Sequence, residues 1–538
     1  MTAVLDRSAP PAPRLHRDRR RWGWGLAGVV LLGWSLVGSG LFSGPVVTPA
    51  GGAQLDRFLA AALRPEFGTE FLGVVAASTL VTVAYAVLGA GLSVLLGALG
   101  APLVSRTTWG RRRTGWLTAR GALALPRGLH EAVWGLLLVN VLGLDPWVGV
   151  LAIGIPFGAI TAKVFADLLD EVPRGSYRAL LAAGAGPATA TLYGLLPAAA
   201  GGLLSYSFYR LECAVRSAVV LGLIGAGGLG YQLALSFTSL RWEQVWTTVY
   251  ALAALCLLAD VAGRAVRRRV AAPRPGGAAL HRDRLLTGAV VAVLAATVWA
   301  VWYLSLSPAA LFSARTRQEL GHVLVSAWPP ATDGDLLAEV WAAALVTVQM
   351  SVIGVVVATA GAVLLAGLAA RPPAAGPVRR AVGAVTRLGL LLLRAVPPPV
   401  WALVLLFVFL PGVLPGALAL GVYTLGVLGR LVAEAVEEAD RRPAEALRSA
   451  GAFPAGRWLY GTAPVLAGPV LALALYRWEV AIRDTVLVGL LGAGGIGALL
   501  SAATASFDWP AVATVLIAII VLTFAVDVVS DRARAALR

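Results

Sequence analysis

Two arginines and a glutamate recur at fixed spacing inside otherwise apolar sequence. Residues 209–230 and 476–497 pair without a gap, and 13 of their 22 positions are identical. Each copy reads Tyr-Arg-x-Glu-x-x-x-Arg and continues into Gly-Ala-Gly-Gly-[Leu/Ile]-Gly. A guanidinium group presents paired N–H donors to two oxygens, so arginines repeated in this way are suited to an oxyanion. Because the copies are 267 positions apart, the chain contains one unit of roughly 265 residues twice.

The glutamate and the second arginine of each copy are four residues apart, on one face of a helix, where they can form an ion pair. The first arginine then has no assigned partner. If its helix begins near residue 198, Arg210 lies about 18 Å along it, near the middle of a membrane. A charge at that depth costs at least about 2.5 kcal/mol on insertion scales, so it should face a polar path or a partner. The predicted pairs beside the path are Glu212 with Arg216 and Glu479 with Arg483.

Two interpretations of Arg210 and Arg477 remain open. They line an anion path across a pseudo-two-fold axis, which is our working hypothesis, or they only brace neighbouring helices. Arg127 and Arg394 are also matched at 267 positions, and they either anchor helix ends or contact substrate. Further candidates for the path are Tyr209, Tyr476, Ser205 and Tyr206, of which the last two are matched by Ala472 and Leu473.

The elements that must position these residues are membrane helices. Hydrophobic residues make up 58% of the chain, charged residues 13%, and the mean hydropathy is +0.80, whereas soluble domains have about 25% charged residues. We predict an all-α polytopic membrane protein with about twelve transmembrane helices, six in each of two parallel repeats. The predicted spans lie near 22–42, 71–103, 123–144, 147–168, 192–223 and 244–262, and near 285–305, 338–370, 390–410, 413–433, 459–490 and 510–530.

The arginines outside the spans predict the orientation and the domain limits. Arginine clusters before the first span and after the second, sixth, eighth and twelfth fall on one side, so we expect both termini to be cytoplasmic. A stretch rich in Arg, Pro and Gly separates the halves. The predicted parts are a basic N-terminus at 1–21, a first half at 22–266, a linker at 267–284 and a second half at 285–538.

The charge distribution and the motifs of the chain exclude or disfavour several functions. The net charge of +16 lies in short loops beside the membrane, where it sets topology and meets lipid, so we expect no nucleic-acid partner. A Walker A loop needs Gly-Lys-Ser/Thr, and Lys163, the only lysine, stands between Ala162 and Val164. The glycine-rich run follows an apolar helix rather than a strand, so it predicts a turn and not a dinucleotide site. We therefore expect no metal and no cofactor in this chain.

A cytoplasmic loop between the fourth and fifth spans is also duplicated. Its two copies place Gly184 opposite Gly451 and Pro197 opposite Pro464. This loop resembles the Glu-Ala-Ala coupling loop of ABC-importer permeases, although Arg178 stands where that family has an acid. The resemblance implies that the loop docks on a cytoplasmic ATPase and that its glycine permits a turn. The residues implied in coupling are Ala179, Gly184, Glu445, Ala446 and Gly451.

Together with this loop, the duplicated arginine and glycine segment is similar to permeases of the phosphonate-type ABC importers, here as a tandem fusion of two halves. The resemblance implies a type I importer permease fold in the plasma (inner) membrane of a prokaryote. It also implies two copies of a cytoplasmic ABC ATPase that hold ATP-Mg, and an extracellular or periplasmic substrate-binding protein. The implied cargo is phosphonate, phosphate or phosphite. The alternatives are a permease for methionine or another zwitterion, and a secondary transporter driven by an ion gradient.

Overall fold

The structure is a computed structural model that describes residues 19–42, 44–49, 51–109, 113–272, 283–371 and 376–537. Within these ranges the chain is helical apart from connections and one isolated bridge between Val47 and Phe409. Most of the predicted basic N-terminus and residues 273–282 of the predicted linker lie outside the described residues. The predicted linker begins inside a helix, because the helix of the sixth span continues to Ala271.

The first half contains thirteen α-helices in the described ranges. A π-helical turn at Thr191–Leu195 precedes α11, and another at Gly222–Ala226 follows it. The α-helices are α1 (Arg19–Gly38), α2 (Gly51–Ala61), α3 (Thr69–Val104), α4 (Arg106–Trp109), α5 (Arg113–Ala122), α6 (Ala124–Gly128), α7 (Glu131–Leu142), α8 (Trp147–Glu171), α9 (Gly175–Ala182), α10 (Pro187–Ala190), α11 (Leu196–Leu221), α12 (Gly228–Thr238) and α13 (Trp242–Ala271).

The second half repeats this order closely. Its π-helical turns, at Trp458–Thr462 and Gly489–Ala493, again flank the helix that carries the duplicated arginines. The α-helices are α14 (Arg284–Tyr303), α15 (Pro308–Leu311), α16 (Ala314–Ser326), α17 (Gly334–Ala369), α18 (Pro377–Ala395), α19 (Pro398–Val408), α20 (Val413–Glu438), α21 (Arg442–Ser449), α22 (Pro454–Arg457), α23 (Ala463–Val488), α24 (Gly495–Ala505) and α25 (Trp509–Leu537).

The fold class agrees with the prediction. Eight helices in the described ranges are long and apolar enough to cross a membrane, and three bent pairs raise the number to eleven if each pair is one span. The predicted span 22–42 corresponds to α1, whose apolar part, Trp22–Gly38, is shorter than the roughly 20 residues of a typical span. Many large apolar side chains on the outside of the molecule are exposed, as expected for a surface that contacts lipid.

The predicted third and ninth spans are not continuous helices, and on this point the prediction was wrong. In the first half, the segment Thr114–Gly128, which contains most of α5 and all of α6, meets α7 at 81°, and the ring of His130 accepts from the Ala132 N–H at the start of α7. In the second half, α18 and α19 meet at 93°. Prolines at 397–399 cause this second break, because they lack the N–H groups that would continue α18.

Small residues allow neighbouring helices such as α3 and α8 to pack closely. A Cβ on Gly154 of α8 would lie 2.4 Å from the Leu92 side chain of α3, so a larger residue at that crossing would force Leu92 to move. The first helix of each half packs on the other half: α14 contacts α3, and α1 contacts α17. The halves are therefore interlocked by an exchanged helix.

Helices α11 and α23 position the duplicated arginines, and their C-terminal ends meet. Val220 and Leu487, which occupy matched positions, lie in one buried cluster with Ala132. Because equivalent residues of the two halves belong to one cluster there, this cluster lies close to the pseudo-two-fold axis. The duplicated loops precede the opposite ends of the same two helices.

Candidate functional site

Arg210 lies on α11 in an aromatic cage. Its side chain is buried, with the residue 7% exposed, and its Nε donates to the Tyr206 hydroxyl at 2.9 Å. The guanidinium carbon is 4.8 Å from the ring centroid of Phe157 and 5.0 Å from that of Tyr206. In the part of the chain that the structure describes, no carboxylate forms an ion pair with it. Aromatic ring faces and one hydroxyl group therefore stabilise the charge of Arg210 in place of a counter-ion.

Arg477 occupies the matched position on α23 in a different environment. It is also 7% exposed, but its Nη2 lies 3.9 Å from a carboxylate oxygen of Asp484. Among the residues that the structure describes, its Nε and Nη2 have no hydrogen-bond partner. The expectation that both arginines are uncompensated therefore holds for Arg210, whereas Arg477 has a distant counter-ion.

The predicted path residues differ between the halves as the sequence suggested. Tyr206 forms part of the Arg210 cage, and the matched Leu473 cannot supply a hydroxyl or a ring. Tyr209 and Tyr476 are 40% and 53% exposed, so both face open space beside the arginines. Ser205 is half-buried on α11.

One of the two predicted ion pairs forms. Glu212 lies 3.7 Å from Arg216, as predicted, and 3.5 Å from Arg267 on α13. The predicted pair of Glu479 with Arg483 is wrong, because the Glu479 carboxylate contacts Arg534 of α25 at 2.5 Å instead. The four-residue spacing allows either pairing, and the neighbouring helix decides which guanidinium the carboxylate meets.

Arg483 binds backbone carbonyl groups. Its Nε donates to the Glu479 carbonyl oxygen at 3.1 Å, and its Nη1 donates to the Arg127 carbonyl oxygen at 3.3 Å. The second contact joins the halves, because Arg127 belongs to α6. Arg483 is therefore a brace between helices, while the half-buried Arg127 contributes its main chain to that brace.

A buried ionic cluster that sequence reasoning missed also joins the halves. Asp260 of α13, whose side chain is 3% exposed, contacts three arginines. One is Arg264, one turn further along the same helix, and the others are Arg430 at 3.1 Å and Arg394 at 3.6 Å from the second half. Arg394 is thus held by a counter-ion of the other half. The sequence feature that could have indicated this cluster is an acidic residue inside a predicted span, which Asp527 matches 267 positions later.

A second missed cluster surrounds His130. Its Nε2 lies 3.6 Å from Asp484 of the second half, and its Nδ1 lies 3.5 Å from Glu131. Glu131 in turn accepts a hydrogen bond of 2.6 Å from Ser217, the residue matched to Asp484. The sequence feature that could have indicated this cluster is a difference between the halves, because prolines 397 and 398 occupy the positions matched to His130 and Glu131.

The duplicated loops form two short exposed helices, α9 and α21, each ended by a glycine with positive φ. Gly184 has φ +86° and Gly451 has φ +78°. The following residues, Ala185 and Ala452, donate back to carbonyls of the helix at 3.0 and 2.9 Å, which is a Schellman ending. Nothing lies within 4 Å of a Cβ added at either glycine, so the backbone angle, and not crowding within the chain, requires glycine. The residues implied in coupling are all exposed: Ala179, Gly184, Glu445, Ala446 and Gly451.

The glycine-rich run is a turn between two helices, as predicted. Gly225 and Gly227 have φ of +102° and +88°, and the chain bends by 55° between α11 and α12. A Cβ on Gly230 would lie 1.9 Å from the Val219 carbonyl oxygen, and one on Gly497 would meet the same obstruction at 2.0 Å in the second half. The repeated glycines therefore allow α12 and α24 to fold back tightly on the helices that carry the arginines.

Comparison with known proteins gives one family. The model of the "binding-protein-dependent transport system inner membrane component" family matches residues 110–272 and again 362–538. The chain is 29% identical over 470 residues to the phosphate-import permease protein PhnE of Mycolicibacterium smegmatis, covering 87% of this chain and 86% of that protein. It is 32% identical over 244 residues to the phosphite transport system permease protein PtxC of Stutzerimonas stutzeri, covering 45% of this chain and 86% of that protein. No solved structure matches the chain.

Proposed function

The chain belongs to the family of binding-protein-dependent transport system inner membrane components, and on that premise we propose that it is the permease subunit of an ATP-driven importer for a small phosphorus oxyanion. It is a multi-pass membrane protein and a transport subunit. Its cargo would be phosphate, phosphite or a phosphonate, in agreement with the names of the two relatives.

The observation that carries the proposed cargo is the pair of matched arginines. Arg210 is buried without a carboxylate partner among the described residues, and Arg477 has two N–H-bearing atoms without a hydrogen bond. Burying a guanidinium without full pairing is costly, so such groups are retained where they serve a ligand or a partner. An oxyanion supplies the missing acceptors to both.

The proposed partners follow from the exposed loops. Two copies of a cytoplasmic ATPase, which hold ATP-Mg, would dock on α9 and α21, and a binding protein would deliver the anion on the opposite face. Both termini would then be cytoplasmic in a prokaryotic plasma membrane, and residues 22–266 and 285–538 would be the two permease halves. Closure of the two ATPase copies would move the loops. This movement would open the path to one face of the membrane and then to the other.

The test is uptake by proteoliposomes that contain the chain, its ATPase and its binding protein. We expect ATP-dependent uptake of labelled phosphate, phosphite or methylphosphonate, and none of methionine. Arg210→Met and Arg477→Met should each lower uptake per assembled complex by about 10- to 150-fold, since hydrogen bonds to charged groups contribute about 1.5–3 kcal/mol. Arg483→Met is the matched control, because its contacts are structural and its loss should reduce assembly instead.

Three results would contradict the proposal. Normal uptake per complex in both variants of the path arginines would make these residues braces. Uptake of methionine alone would favour a zwitterion importer. Uptake that follows an ion gradient without ATP would favour a secondary transporter.

A further inference from the structure

Asp484 lies between two cationic or donor groups from different halves. One of its carboxylate oxygens is 3.9 Å from Arg477 Nη2 on the same helix, and the other is 3.6 Å from His130 Nε2 in the first half. The side chain of Asp484 is only 12% exposed. A buried carboxylate between two such partners is able to shift from one to the other with little movement.

The contact with Arg477 is incomplete. At 3.9 Å the two groups are too far apart for a hydrogen bond, and Nε and Nη2 of Arg477 have no hydrogen-bond partner among the described residues, although the guanidinium carbon lies 5.9 Å from the ring centroid of Tyr423. Its side chain is 9% exposed, so water does not fully replace those bonds. Arg477 is therefore attracted by a counter-ion that does not satisfy its donors, and a better acceptor would displace that counter-ion.

His130 offers Asp484 an alternative partner. Its Nδ1 accepts from the Ala132 N–H at 3.2 Å, so Nε2 carries the proton of the neutral ring and faces Asp484. Glu131, on the Nδ1 side, is already bonded to Ser217. At 3.6 Å the His130 N–H group, like the Arg477 contact, lies just beyond hydrogen-bond distance, so Asp484 must move slightly toward His130 to bond it when it leaves Arg477.

The first half lacks this arrangement. Ser217 stands at the position matched to Asp484, and Arg210 is held by the hydroxyl and rings of its cage. Among the described residues, the two matched arginines thus differ in one respect that matters for an anion, since a carboxylate of the protein lies beside Arg477 and none pairs with Arg210.

We infer that Asp484 is a resident counter-ion of Arg477 that competes with the transported anion, and so limits the affinity of the path and promotes release. This inference rests on the proposed function. Asp484 acts through Arg477 and is a positioning residue: it holds the guanidinium while the path is empty and turns to His130 when an oxyanion binds. Without it, the path would keep its cargo longer.

The test measures binding of labelled inorganic phosphate to the complex of the full chain with its ATPase in lipid nanodiscs, without the binding protein. Asp484→Asn should lower the Kd for phosphate about tenfold, within the range found for coupled sites, and slow its release to a similar extent. Asp484→Ser, which copies the first half, should do the same. Asp484→Glu keeps the charge and should leave the Kd within about twofold of the wild-type value.

A double-mutant cycle separates this role from bracing. In the Arg477→Met background, Asp484→Asn should no longer tighten binding, because the competition requires the guanidinium. An unchanged or weaker affinity for phosphate in assembled Asp484→Asn and Asp484→Ser complexes would overturn the inference, and so would failure of both variants to assemble. If the wild-type complex binds none of phosphate, phosphite or methylphosphonate, the proposed function fails first.

Discussion

Replacing Asp260 with asparagine should weaken the association of the two halves. The Asp260 carboxylate contacts Arg264 of its own helix and two arginines of the second half, Arg394 and Arg430. Asparagine keeps the shape of the side chain but removes its charge. Three guanidinium groups would then surround a neutral amide.

The cost in stability can be estimated from the burial of Asp260 and the two arginines of the second half. Asp260 is 3% exposed and Arg394 is 13% exposed, and removal of one partner from a buried pair costs about 3–5 kcal/mol. Arg430 is 27% exposed and keeps Glu434 at 2.8 Å, so part of its interaction survives. We therefore expect Asp260→Asn to lower the free energy of unfolding by about 3 kcal/mol, near the lower limit of that range. This corresponds to about 150-fold in the unfolding equilibrium constant.

The assay is equilibrium unfolding of the full chain in mixed detergent micelles, followed by circular dichroism. Asp527→Asn is the matched control, because Asp527 Oδ1 has no hydrogen-bond partner and this acid forms no ion pair among the described residues. Asp527→Asn should lower the free energy of unfolding by less than about 1 kcal/mol. Equal losses in the two variants, or a change below about 1 kcal/mol for Asp260→Asn, would refute the assignment of Asp260 as the ionic link between the halves.

Three further predictions concern the loops, the fusion and the glycine turn. Gly184→Val combined with Gly451→Val should abolish transport-linked ATP hydrolysis while the chain remains inserted, because a β-branched residue disfavours the positive φ that ends each loop helix. Fragments 1–272 and 273–538, co-expressed, should restore uptake, because the exchanged helices hold the halves together without a covalent link. Gly230→Ala should sharply reduce the yield of folded protein, since its Cβ would lie 1.9 Å from a backbone oxygen.

Each of these predictions has a contrary outcome. Normal ATPase coupling in the double glycine variant, measured as hydrolysis stimulated by loaded binding protein, would exclude the loops from coupling. Both fragments inserted without uptake would give the joint a role beyond connection. A wild-type yield of Gly230→Ala, measured by size-exclusion chromatography, would show that the turn relaxes at little cost.

Local patterns in the sequence predicted a large part of the fold. Apolar length identified the helices, and the 267-residue repeat aligned α11 with α23 and placed their glycine turns at equivalent positions, whereas the π-helical turns beside these helices were not predicted. Gly184 and Gly451 were recognisable because a helix ending of this type depends on a few adjacent residues. The breaks before α7 and α19 were not predicted, although the prolines at 397–399 indicated the second break.

The side-chain partners of the site depended on the tertiary structure. Spacing along one helix predicted Glu212 with Arg216, but it failed for Glu479, which contacts Arg534 because α25 presents that guanidinium. The sequence determined that two arginines recur in matched membrane helices. Only the packing decided that Arg210 has a cage and Arg477 a counter-ion, since a long side chain takes its partners from whichever helix lies beside it.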